Sequence, residues 1–307
     1  LALTVPGTFA TSDPQTDGST PSPVSLLLEA WWGDDGLWKF LKFGMQMAMV
    51  LVTGYALAAS PPIRRGIDAI SDLPRSTTSG VVLVSAIAVG TGLLNWGLAL
   101  VVGALLARGV GRSLERRGIP CHYPLLVAAG YTGMLVWHGG FSGSAPLQMT
   151  TPANAAAVLP DSMVAEYAAN GIPLSETILS PMNLFVSFGL LLVVPLAFLL
   201  LVPSTPDAFQ SPKRLDIDID LDDDATASEP MNPIEVVLGV SLGIALIAGF
   251  IVYLGSNAGG VGRLGLNQIN AAMLGLGLIL HGAPTRYLRA VEDAAKGCAG
   301  IILQFPL

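Results

Sequence analysis

Val81–Leu106 reads VVLVSAIAVGTGLLNWGLALVVGALL, 26 largely apolar residues interrupted at Gly90-Thr91-Gly92 and again at Asn95-Trp96-Gly97. Arg64, Arg65 and Arg75 precede it, and Arg108, Arg112, Arg116 and Arg117 follow it. A spanning helix takes about 20 apolar residues, so the stretch is long enough to cross a bilayer once. One crossing would put the two basic segments on opposite sides, against the preference of Lys and Arg for the cytoplasmic side. If the chain instead enters, turns at Asn95-Trp96-Gly97 and leaves again, both basic segments are cytoplasmic. Each arm then has about 12 residues, or roughly 18 Å, which reaches about the middle of the hydrocarbon core. The stretch therefore predicts a re-entrant hairpin over about 81–106.

The charge pattern elsewhere agrees with that choice. Leu37–Ala59, Ser180–Val202 and Pro233–Leu254 are long enough to span, and Leu266–Leu280 is a shorter candidate. The polar residues Asn267, Gln268 and Asn270 at the start of that last segment call for shielding by neighbours. No Lys or Arg lies between Arg117 and Lys213, so the loop around Thr150–Thr177 is expected outside. With the hairpin drawn as above, Lys213, Arg214, Arg286, Arg289 and Lys296 join the seven flanking arginines on the cytoplasmic side. Only Lys39, Lys42 and Arg263 fall outside. Trp31, Trp32 and Trp38 form an expected interfacial aromatic cluster before the first span.

Composition supports the same class. The 307 residues are 52% hydrophobic and 12% charged, with a mean hydropathy of +0.62. A soluble domain carries about a quarter charged residues. A net charge of -7 argues against a nucleic-acid partner, which would need a basic face. Cys121 and Cys298 with three histidines make neither a disulfide scaffold nor a four-ligand zinc site. No G-x-x-x-x-G-K-[ST] motif occurs, so no ATP motor is visible and no cofactor is expected. The chain opens at Leu1 inside an apolar stretch and stops in Cys298–Leu307, which reads as the start of another spanning helix. It is expected to be an internal piece of a longer protein.

Tyr123–Trp137 is a 15-residue apolar run, able to enter the membrane but too short to cross it. It leads into His138-Gly139-Gly140-Phe141-Ser142-Gly143-Ser144-Ala145-Pro146, a helix-breaking composition. Non-helical backbone at membrane depth needs burial in protein or a cavity to line. A hairpin tip and a broken helix over about 123–149 are thus expected to end together near the midplane. Unpaired N–H groups at helix starts favour an anion there. Asn95, Gly97, Ser142, Gly143 and Ser144 are the expected substrate-binding set. Trp96, His138, Gly139 and Gly140 are further candidates. No Lys or Arg lies deep in a proposed span, so a single small carboxylate, met by backbone dipoles and a coupling cation (sodium or a proton), fits best.

Several features have plainer readings. Gly239 and Gly243 look like helix packing, His281 like a helix-end cap, and Glu176 like a first-turn carboxylate. Asp216, Asp218, Asp220, Asp222, Asp223 and Asp224 lie in a linker that lacks the glycine of a calcium loop. Pro284–Lys296 reads as an interfacial amphipathic helix with opposite-sign pairs Arg289–Asp293 and Glu292–Lys296. Gly140-Phe141-Ser142-Gly143 also fits the G-x-S-G of rhomboid-type intramembrane serine proteases, with His281 as an available base. The depths of Ser142 and His281 set them too far apart for the ~3 Å such a pair needs.

Trp31-Trp32-Gly33-Asp34-Asp35-Gly36-Leu37-Trp38, Phe43-Gly44-Met45-Gln46-Met47-Ala48, Asn95-Trp96-Gly97-Leu98 and Val102-Gly103-Ala104 carry a family likeness. So do His122–Ala128, Gly139–Leu147, Pro173–Thr177 and Gly300–Pro306. From about Trp31 to Leu307 the chain resembles the bacterial and archaeal short-chain fatty acid transporters of the acetoacetate/butyrate permease type, grouped in the ion transporter superfamily. The resemblance implies an all-α polytopic inverted-repeat carrier, with a re-entrant hairpin and a broken helix in each half. Residues 1–203 would be the first repeat, 204–232 an acidic cytoplasmic linker and 233–307 the start of an incomplete second repeat. It also implies import of acetoacetate or butyrate across the cytoplasmic membrane by symport and alternating access. A dicarboxylate or other organic-anion carrier is the alternative, and a homo-oligomer stays open. Family members continue past the residue matching Leu307.

Overall fold

The computed structural model describes residues 22–32, 40–159, 161–167, 169–217, 231–256 and 259–304, and these are helical with no strand. The expected positions of Trp38 and Lys39, the side chain of Trp32, Asp218–Asp224 and Phe305–Leu307 lie outside the described residues. Helix α1 (Pro23–Trp32) was not anticipated, and Trp31 on it is exposed. Helix α2 (Leu41–Ala59) is the first span. Ser60 is extended, and Pro61 and Pro62 open α3 (Pro61–Ser71), a polar-faced helix with two positions buried. Proline suits a first turn, where its missing N–H is not needed.

Helix α4 (Thr77–Leu94) starts on a capping box, in which Ser76 accepts from the Ser79 amide while the Ser79 hydroxyl accepts from Ser76. A single extended residue, Asn95 (φ −157°, ψ 127°), ends α4 and begins α5 (Trp96–Arg116). The two helices lie along each other as a hairpin with Asn95 at its tip. It is longer than the 81–106 read from hydropathy. The Ser76 cap starts helix four residues before the apolar run, and α5 continues about three turns past Leu106 to the exposed Arg116.

The hairpin base and the end of α3 share one side. Ser113 donates to Asp72 at 2.6 Å, Arg117 donates to the Pro74 carbonyl at 2.5 Å, and Thr77 donates to the Pro120 carbonyl. All seven arginines from Arg64 to Arg117 therefore lie at that end or on its helices. From the base, α6 (Tyr123–Gly130) climbs the hairpin and tightens into 3₁₀ turns at Tyr131–Leu135 and Trp137–Gly139. Gly130 faces Gly103 and Gly133 faces Gly92, so the backbones of the hairpin and this segment touch. Helix order resumes in α7 (Ser144–Gln148), followed by α8 (Pro152–Ala156) and α9 (Asp161–Tyr167). The weakening of the helix thus begins at Tyr131, seven residues before the break read at His138.

Helix α10 (Pro181–Leu199) packs on α4, and Ser180 caps it by accepting from Asn183. Glu176 is a first-turn carboxylate, of a short 3₁₀ turn at Leu174–Glu176 ahead of α10. Helix α11 (Pro233–Gly255) starts on Asn232, whose side chain accepts from the Ile234 amide, with Pro233 in its first turn. It packs on α12 (Leu266–His281), with Gly243 against Gly275. Helix α13 (Pro284–Ala295) and α14 (Ala299–Gln304) lean on α2. Just past the end of α13, Lys296 pairs with Asp293 at 2.7 Å, one residue nearer than the expected Glu292.

Among the described residues five helices, α2, α4, α5, α10 and α11, are long and apolar enough to cross a membrane. Helices α10 and α11 bury few of their side chains, with Phe185 81% and Ile234 77% exposed. Such apolar, unburied faces suit lipid rather than water. This is a multi-pass membrane protein. Helices α2 and α12 run side by side in the same direction, since Gln46 meets Asn267 and Asn270 while Ala56 meets His281.

Candidate functional site: hairpin tip and helix break

The hairpin tip is seated on the middle of α2. Val50 is the tenth of its 19 residues, and its carbonyl accepts from the Asn95 Nδ2 at 3.3 Å. The other amide atom of Asn95 closes the start of α5, Oδ1 accepting from the Leu98 amide at 2.8 Å. Asn95 is fully buried. The approach is close because both partners are glycine-bearing. A Cβ on Gly97 would lie 2.7 Å from the Leu51 Cα, and one on Gly54 would strike Asn95 and the Leu98 amide.

The break meets the same tip. The Phe141 amide donates to the Leu93 carbonyl at 2.8 Å, and the Trp96 amide donates to the Ser142 hydroxyl at 2.9 Å. Two of the first three amides of α5 are therefore taken by Asn95 and Ser142. Gly140 lies against the Leu93 backbone, where a Cβ would collide with the carbonyl. The next glycine, Gly139, is held from outside. Asn183 of α10 donates through Nδ2 to the Gly139 carbonyl at 2.9 Å and to the Ile178 carbonyl at 2.6 Å.

The structure thus brings Asn95, Gly97, Ser142 and Gly143 into one buried knot, with Ser144 half-buried at the first position of α7. Trp96 is half-buried and its ring lies 6.2 Å from that of Trp137. His138 is exposed and stacks on Trp137 with centroids 3.6 Å apart. His281 is not a cap of its own helix. It is buried, and its Nε2 meets the Ala56 carbonyl of α2 at 2.7 Å. The Ser142 hydroxyl meets the Trp96 amide and the His281 Nε2 the Ala56 carbonyl, and the two residues share no hydrogen bond as a nucleophile–base pair would. No group of three His, Cys, Asp or Glu suited to a metal occurs among the described residues.

Asn267 and Asn270, read from the sequence as needing shelter, find it one turn from the tip in Gln46 and Gln148, which the sequence had not singled out. Gln46 donates to the Asn267 Oδ1 at 2.8 Å, Gln148 of α7 reaches the Gln46 Oε1 at 3.4 Å, and Asn270 donates to the Gln46 carbonyl at 3.0 Å. Gln46, Gln148 and Asn270 are all buried. Their signal was amides inside otherwise apolar helices, which cost free energy in a membrane unless they are bonded. Asn183 carried the same signal.

The family model described as "Short chain fatty acid transporter" matches residues 16–307. A protein of Escherichia coli (strain K12) named "Putative short-chain fatty acid transporter" is 36% identical over 293 residues, 93% of this chain and 61% of its own length. A protein of Haemophilus influenzae with the same name is 36% identical over 294 residues, 93% of this chain and 62% of its own length. The chain spans about three fifths of the length of these curated relatives. No solved structure matches it.

Proposed function

The chain belongs to the short-chain fatty acid transporter family, and from that premise we propose that it forms the first-half substrate site of a carrier importing short-chain fatty acids such as acetoacetate and butyrate. The family is one of transporters, not enzymes. In this reading α4–α5 is a re-entrant hairpin opening to the cytoplasm, and α6–α7 is a broken helix whose gap shares its depth. Import runs across the cytoplasmic membrane by alternating access and symport with sodium or a proton. Asn95, Gly97, Ser142, Gly143 and Ser144 line the site, with Trp96, His138, Gly139 and Gly140 around them.

The observation that supports this best is the seating of tip and break together on Val50, the centre of a spanning helix. If α2 crosses the bilayer, both chain discontinuities lie near the midplane, where discontinuous helices of secondary carriers meet their substrates. The inverted repeat rests on the family resemblance. Helices α2–α3 and α12–α13 share a plan of span, proline and amphipathic helix, and they point the same way, so they are not themselves an inverted pair.

The test is uptake of labelled butyrate by cells lacking their own permease and expressing the full-length gene, with and without Ser144→Ala. Saturable uptake with a raised KM in the variant, at equal protein level, supports substrate and site. Absence of uptake by protein that reaches the membrane removes butyrate, and dicarboxylates are then the substrates to try. Ser142→Ala is a poorer probe, because its hydroxyl also caps α5.

A further inference from the structure

Two buried polar atoms near the tip have no partner among the described residues, the Nε1 of Trp96 and the Oδ1 of Asn270. Resting on the transporter reading above, we propose that these two atoms bind the carboxyl group of the transported acid in its protonated, neutral form.

The orientation of Asn270 is fixed. Its Nδ2 donates to the Gln46 carbonyl at 3.0 Å, and a flipped amide would set two acceptors face to face. The atom left over is therefore an acceptor, on a side chain only 7% exposed. The indole nitrogen of Trp96 can only donate. A buried polar atom without a partner costs about 1–3 kcal/mol, so two such atoms of opposite sense call for a group that donates and accepts at once.

The two residues are gathered on one part of α2 and one apolar cluster. Asn95 and Asn270 use their Nδ2 atoms on the carbonyls of Val50 and Gln46, which are one turn of α2 apart, about 6 Å. Trp96 follows Asn95 in the chain and packs on an apolar cluster that includes Met47, Val50 and Leu147. Leu266, Ile269 and Met273, which share a face of α12 with Asn270, belong to that cluster too.

A carboxylate offers acceptors only and would leave Asn270 unsatisfied, whereas –COOH donates to Asn270 Oδ1 and accepts from Trp96 Nε1. The surroundings offer an anion little. On the packed elements, Lys42 lies a turn before Gln46, Arg108, Arg112, Glu115 and Arg116 lie at the far end of α5, and His281 is bonded to Ala56. The charges of α3 and α13 and Glu235 of α11 flank the α2 end at Ala56–Ala59 and the α12 end at His281, away from Gln46. From the outer turn, Arg263 donates to the Thr150 and Asn170 carbonyls. α7 carries none. Binding then takes one proton from water with each carboxylate, so the acid crosses together with its proton.

The experiment is calorimetric titration of the purified full-length protein with sodium butyrate at pH 7, in buffers of differing ionisation enthalpy. The slope of the observed heat against that enthalpy is expected to show about one proton taken up per butyrate. Trp96→Phe, which keeps the ring and removes the donor, and Asn270→Ala are each expected to weaken binding about tenfold. Binding with zero proton uptake overturns the inference and leaves the transporter reading standing. Unchanged affinity in both variants assigns the two atoms to a buried water and also overturns it. No binding heat from folded protein contradicts the transporter reading itself.

Discussion

Replacing Asn95 by alanine removes both ends of the clamp that seats the tip. The Oδ1 cap on the Leu98 amide is lost, and an N-cap deletion costs about 1 kcal/mol, with a range of about 0.5–2. The site is fully buried, so water cannot stand in, and the orphaned Leu98 N–H puts the cost at the upper end. The Nδ2 bond to the Val50 carbonyl adds about 1 kcal/mol. Val50 itself is not orphaned, because its carbonyl still serves the helix of α2. The expected loss is about 2–3 kcal/mol. Asn95→Ser keeps a cap oxygen and loses the donor, so about half returns. The assay is reversible unfolding in mixed micelles with increasing dodecyl sulfate, followed by far-UV circular dichroism. An Asn95→Ala protein within about 0.5 kcal/mol of the parent, a change typical of an unremarked surface site, or a serine variant no better than alanine, refutes the clamp.

Other expectations follow from the same geometry. Gly97→Ala, with its Cβ 2.7 Å from the Leu51 Cα, should abolish butyrate uptake and lower Tm. Gly90→Ala meets nothing within 4 Å and should leave uptake intact while stabilising α4 by up to about 1 kcal/mol, read by parallel uptake and melting. Arg263 donates to the carbonyls of Thr150 and Asn170 at 2.7 and 2.6 Å. Arg263→Ala should cost about 1–2 kcal/mol and make the segment around Asn170 more sensitive to protease, with Arg263→Lys recovering only part. Burial, reinforced by Glu115, pushes the Cys121 thiol up from 9.0 to about 12. Its neutral form is the one the fold favours, so that stability is whole below pH 9 and fades as pH rises towards about 12. Cys121 should resist thiol reagents at pH 7.5 in the folded protein and react on unfolding, measured by thiol titration.

Much of the architecture was legible because the signals were local. The Asn95-Trp96-Gly97 interruption located the turn between α4 and α5, and the Gly139–Gly143 composition located the break. The apolar run Pro233–Leu254 is the span that α11 forms. What escaped depended on contacts between distant segments. Hydropathy ends α5 at Leu106, while ten more residues stay helical because Ser113 and Arg116 find Asp72. His281 resembled a cap until α2 placed Ala56 beside it. Gln46 and Asn270 are separated by most of the chain and meet only because α2 and α12 run together. Asn95 and Ser142 stood out in the sequence as the polar residues of tip and break, but their use of polar atoms on the backbone was not legible there. That use makes them supports of the tip, and leaves Ser144, Trp96 and Asn270 as the groups with more to offer a ligand.

The central claim is that the hairpin tip stops inside the membrane, level with the helix break, and the height of Asn95 in a bilayer tests it most directly. A cryo-electron microscopy map of the protein in lipid nanodiscs, with an antibody fragment for alignment, gives that height relative to the two headgroup layers. The account predicts Asn95 and Ser142 within one helical turn of the bilayer centre, about 5 Å, with Thr77 and Arg116 at one and the same surface. Asn95 at the headgroup layer opposite Thr77 would make α4 and α5 two complete spans and contradict it.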